Sequence, residues 1–122
     1  GFVHDICSAV HPLALSSPFF QSFPLAEYGL EWIQPPSPVA HPIDEETAAV
    51  ADISVEKTAE RLGADSKMYR RMIEPLVAAW PELMEDLLAP LHAPNHPFLM
   101  AHFGLLAPWP ASMVARLLFR VR

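Results

Sequence analysis

Glycine is scarce, with four residues at positions 1, 29, 63 and 104 in a chain of 122. Neither G-x-G-x-x-G nor G-x-x-x-x-G-K-S/T can be written through them, so the chain has no backbone cradle for a dinucleotide or a nucleotide phosphate. Cysteine is scarcer still. Cys7 stands alone and closes no internal disulfide, which removes the usual mark of a small secreted domain and makes a reducing, cytoplasmic compartment the expectation. Eight bases face fourteen acids, for a net charge of −6, which argues against a phosphate-tracking nucleic-acid surface, so no nucleic-acid partner is expected. The first dozen residues, GFVHDICSAVHP, carry no basic start, and His4, Asp5 and His11 interrupt the apolar run that a secretory leader needs.

Proline and apolar side chains are abundant instead. Fourteen prolines are more than double the usual share of about 5%, and each fixes φ and removes a donor, so the elements must be short. Hydrophobic residues make up 52% of the chain and the mean hydropathy is +0.20, high for a small domain with much surface to cover. Part of that apolar surface is expected to meet something outside the chain. The charge is also uneven. Residues 27–86 hold thirteen acids and five bases, whereas residues 87–122 hold three arginines and no acid.

The pattern predicts an α+β fold, mostly helical, with one short antiparallel hairpin. Residues 12–24 read as a short helix and a turn, and EYGLEWIQPP (27–36) has a strand-like alternation. SPVAHPID and TAAVADI form two extended runs about a turn at Asp44–Glu46. Ser54 is placed to cap a helix that Gly63 stops, and Asp65 to cap a second. In that second helix Met68, Met72, Leu76 and Ala79 make a core stripe that Pro75 interrupts. Pro81 opens a third helix, and two apolar helical segments follow, divided by APWP (107–110).

Four constellations bear on chemistry. Cys7 between His4 and His11 has the residue types of a thiolate and its base, but a lone cysteine is most often a small buried apolar group. Asp5, Ser8 and His11 are the three triad types without a nucleophile elbow. His92, His96 and His102 invite a metal, yet Pro94 keeps the first two off a shared helical face, so they read as loop or cap histidines and no metal is expected. The acids at 44–46 and at Glu82, Glu85 and Asp86 read as solvated charges. Finally, the run from Pro97 to Phe119 approaches a membrane span in length, but Pro108 and Pro110 break it. Core packing is the favoured reading of that run, with contact at a lipid surface the alternative.

The strings GFVHDICSAVHPL, PLAEYGLEWIQPP, AHPIDEETAAV, KMYRRMIEPLV and ARLLFR, in this order, resemble the middle portion of the phytoene dehydrogenase-like FAD-dependent oxidoreductases of the amine oxidase and phytoene desaturase group. The resemblance runs along nearly the whole chain. It implies that the glycine-rich FAD-binding unit lies upstream, and that this chain is an internal piece, inactive alone. Residues 1–24 are then a connecting segment beside the flavin, in which Gly1, Asp5, Ser8 and His11 border the cofactor. Residues 25–53 are short strands and the hairpin, and residues 54–122 are the helical substrate region. The implied partners are the rest of the flavoprotein chain and an apolar small-molecule substrate, with peripheral membrane contact as a further expectation. A small helical module that binds a partner through its apolar tail, without catalysis, is the alternative reading.

Overall fold

The computed structural model describes Gly1 and residues 11–120. It is an α+β fold, mostly helical, with a single two-stranded antiparallel sheet among the described residues. Two short helices, α1 (Pro12–Ser16) and α2 (Pro18–Gln21), each start on a proline, whose fixed φ suits the first helical turn. A 3₁₀ turn over Leu25–Tyr28 ends on Gly29, whose φ of 88° is open to glycine without strain. The alternation that predicted a strand at 27–36 therefore fails. Leu30 to Pro35 form no ladder, because no neighbouring strand is there to take their backbone groups.

The hairpin forms as expected. Strands β1 (Val39–Pro42) and β2 (Ala48–Ala51) pair with Val39 opposite Ala51 and Pro42 opposite Ala48. Asp44 shapes the turn, its Oδ1 accepting the Glu46 and Thr47 amides at 2.9 and 2.7 Å. A hydrogen bond from the Thr47 side chain first, and then the Glu46 and Thr47 amides, hold its carboxyl below the ordinary value.

Helix α3 (Val55–Arg61) is capped by Ser54, whose hydroxyl accepts the Lys57 amide at 3.3 Å. Buried Thr58 ties it to the hairpin by accepting the Asp52 amide at 2.9 Å. Gly63, at φ 52°, ends the helix. Helix α4 (Ser66–Ala78) then runs as one helix across Pro75. It is followed by α5 (Trp80–Leu88), α6 (Pro97–Leu106) and α7 (Ala111–Leu118). Helix α4 packs against α3 and α5, and α5 against α6.

The core is small. Ala59, Leu83 and Met84 are the buried apolar residues among those described. The stripe of Met68, Met72 and Leu76 faces inward but is only half-buried, so it is not the closed core face its spacing predicted. The chain exposes 10170 Å², whereas a compact monomer of 13.6 kDa exposes about 6,600 Å² and its extended chain about 20,000 Å². It buries roughly half of its extended surface instead of about two-thirds. Leu83→Ala should cost about 2–5 kcal/mol, while Leu76→Ala, at a half-exposed site, should cost about 1–2 kcal/mol. Urea unfolding of the two variants checks the order, and equal losses would contradict the packing described.

Candidate functional site

A concavity of about 1120 Å³ lies between the α1–α2 corner, the extended segment 30–35 and the start of α5. Its walls are apolar, with Leu15, Leu30, Trp32, Ile33, Trp80 and Met84 on them. Polar groups stand few and apart, among them His11, Gln21, Glu31 and Glu85. The Trp80 indole N–H donates to Ser16 Oγ at 2.8 Å, joining α1 to α5 across the groove. An apolar wall with sparse polar groups is the usual build of a small-molecule site. The failed strand prediction explains part of it: without a ladder, the segment holding Leu30, Trp32 and Ile33 forms one edge of the groove.

Of the residues expected beside a cofactor, His11 is on this groove. It also starts α1, its carbonyl accepting the Leu15 amide at 3.3 Å. Gly1 is exposed, with open space around it. Asp5 and Ser8, together with His4 and Cys7, lie outside the described residues. A dinucleotide needs a glycine-rich turn between a strand and a helix. The two glycines with positive φ, Gly29 and Gly63, instead close a 3₁₀ turn and α3, and the sheet is an antiparallel hairpin. Among the described residues there is no glycine-rich strand–helix turn of that kind.

A second cluster was missed by the reading of Asp86 as a solvated charge. Its side chain is 1% exposed. Oδ1 accepts the Asn95 amide at 2.9 Å and His92 Nε2–H at 3.2 Å, and Oδ2 accepts the His96 amide at 2.9 Å. His96 Nδ1 stands 3.5 Å from Oδ2. Helix α6 opens on His96 and Pro97 with no side-chain cap and no acid in its first turn. Asp86, from α5, supplies the anion that this helix start attracts. Burial alone would raise the Asp86 pKa, but the Asn95 and His96 amides and His92 more than offset it and hold the carboxyl below its ordinary 3.8. The His92 Nδ1–H donates to the Pro90 carbonyl at 2.8 Å, so both ring nitrogens face acceptors. That carbonyl first, and Asp86 next, raise the His92 pKa above 6.5. His92 and His96 are thus a loop and a cap residue, as expected, and both approach a buried carboxylate, whereas His102 lies within α6, contrary to the same expectation. Among the described residues no group of three His, Cys, Asp or Glu is placed to hold a metal ion.

Two more polar clamps seat the last helices. His102 Nε2–H donates to the Met72 carbonyl at 3.1 Å, fixing α6 to α4. Asp65 makes no side-chain cap for α4, contrary to its predicted role. Its carboxylate accepts the Arg120 amide at 2.9 and 3.1 Å, fixing the end of α7. Between these clamps, Met72, Ile73 and Leu76 face Phe103, Leu106 and Val114 across a hollow of about 340 Å³.

Comparison with protein-family models, with curated proteins and with solved structures finds no match.

The Asp86 clasp carries a pH signature. Its carboxylate, with a lowered pKa, contributes stability above the unfolded value near 3.8 that is lost as pH falls through the folded value. His92, with a raised pKa, contributes stability below 6.5 that is lost as pH rises through its folded value. The clasp is therefore firmest from about pH 4 to 6.5. Thermal melts across pH should peak there, and Asp86→Asn should lower the melting temperature and flatten the profile; an unchanged profile would refute the clasp.

Proposed function

We propose that this chain forms the substrate-side wall of a phytoene dehydrogenase-like FAD-dependent oxidoreductase, with an elongated apolar substrate lying in the groove between α1 and α5. The observation that carries the reading is the groove: about 1120 Å³ of apolar-walled space, too poor in polar groups for a charged metabolite and large enough for a drug-sized or larger apolar one. When bound to the rest of such an enzyme, a flavin supplies the hydride chemistry itself. This chain's residues bind and orient the substrate and exclude water. His11, with Glu31 and Glu85, offers the few polar contacts that fix a ligand's end.

The excess surface supports the same reading. The chain exposes about 3,600 Å² more than a compact monomer of its mass. A standard dimer interface removes only about 800 Å² from each partner. Covering the excess takes an interface of the extensive kind found between parts of one permanent assembly, as a flavin-binding half would provide. The non-catalytic module, docking a partner through its apolar helices, draws on the same surplus but leaves the groove without a role.

Titration with a linear polyene or a long-chain fatty acid should quench the emission of Trp32 and Trp80 to saturation. Ile33→Asp, on an exposed groove wall, should weaken binding about tenfold, the worth of one lost apolar side chain. The native gene product should carry flavin that bleaches anaerobically on addition of an apolar substrate. Saturable quenching without flavin in that product would leave an apolar-ligand binder and remove the oxidoreductase reading; no quenching would remove both.

A further inference from the structure

We propose that α6 and α7 form an elbow that docks, without crossing, on the surface of an anionic membrane. The two helices meet at 95° across the Pro108–Trp109–Pro110 corner; among the described residues no single helix is long and apolar enough to cross a membrane, and this pair matches a span in length and composition only when taken together, across the bend. At ten and eight residues the arms are about 15 and 12 Å long, about half of a hydrocarbon core each. They suit a segment lying in the interface.

The inner side of the elbow is occupied. It closes over α4 and is pinned through Asp86, Met72 and Asp65. The outer side is apolar and bare. On α6, Phe98, Ala101 and Leu105 fall at i, i+3 and i+7, one stripe of the helix, with Phe98 90% and Leu105 70% exposed. Trp109 at the corner, which also lines the hollow toward α4, and Met113 and Leu117 on α7 are exposed as well. Tryptophan at such a corner matches the amphipathic belt where hydrocarbon meets headgroups.

Charge selects the occupant. In a chain of net charge −6, no acid follows Asp86, and Asp86 is buried and engaged. Arg116 stands exposed beside Leu117, and Arg120 is exposed at the end of α7. Apolar contact flanked by arginines, with no acid on either helix, is the pattern of an interfacial helix on anionic lipid. A protein groove could receive the same apolar stripe, but it gives no reason for the acid-free run of 36 residues from 87 to 122. The inference stands independently of the flavin reading.

The test uses the full chain with vesicles of phosphatidylglycerol mixed into phosphatidylcholine, and with phosphatidylcholine alone, each containing brominated acyl chains. Trp109 emission, taken as the difference between the chain and its Trp109→Phe variant, should be quenched by the mixed vesicles. Leu105→Glu with Leu117→Glu, both at exposed positions that leave packing intact, should abolish quenching and co-sedimentation while circular dichroism is unchanged. Arg116→Gln with Arg120→Gln should weaken binding to the anionic vesicles about tenfold and leave the neutral baseline alone. Absence of Trp109 quenching, or equal binding to neutral and anionic vesicles, overturns the proposal. So does a dimer in sedimentation equilibrium that the two glutamates dissociate, since the stripe would then be a self-contact.

Discussion

A carboxylate taken out of water has to be surrounded by donors, and those donors must then stay where they are. Asp86 imposes this condition on the C-terminal third of the chain. Two backbone amides and an imidazole converge on it from the loop that leads into α6, so the entry to α6 is tied to α5, and a helix start with no acid of its own has an anion beside it. Met72 and Asp65 repeat the device further along, each spending a polar group of the α4 region on a later element. The apolar contacts alone would not fix these helices, because the hollow between them is half open.

The same economy explains why so little is buried. Fourteen prolines cut the chain into helices of four to thirteen residues, and helices this short have too little face to enclose a core by themselves. Apolar side chains that cannot close on one another end up lining concavities: the groove beside Trp80, the hollow beside Leu76, and the outer stripe of the elbow. What looks like an incomplete globule is a set of concave and flat apolar surfaces held in register by buried polar bonds. This is an arrangement suited to being one wall of something larger.

Local signals survived the passage from sequence to structure, and tertiary ones did not. Ser54 and the Asp44 turn act through bonds to residues a few positions away, Gly63 through its positive φ and Pro81 through its fixed φ in the first turn of α5, and each was readable from spacing. The alternation of Leu30 and Trp32 was equally visible, yet a strand needs a neighbour and none is adjacent, so the segment became a groove edge. Asp65 occupies the expected position at the start of α4, but its carboxylate is drawn to an amide fifty-five residues on. Asp86 was misread for the same reason: its donors lie beyond two prolines. A signal for it does exist in the sequence, in the Asn-His-Pro start of a helix with no acid in its first turn, which requires an anion from elsewhere. Of the residues expected near a cofactor, His11 reaches the groove, while the resemblance that nominated it rests on strings instead of geometry.

The bond between Trp80 and Ser16 has a consequence for how the groove behaves. It bridges two walls of the groove, α1 and α5, and a single neutral hydrogen bond is worth about 1 kcal/mol net. A tie of that strength is slight beside the three hydrogen bonds that converge on Asp86, so the first turn of α5 is anchored less firmly than its last.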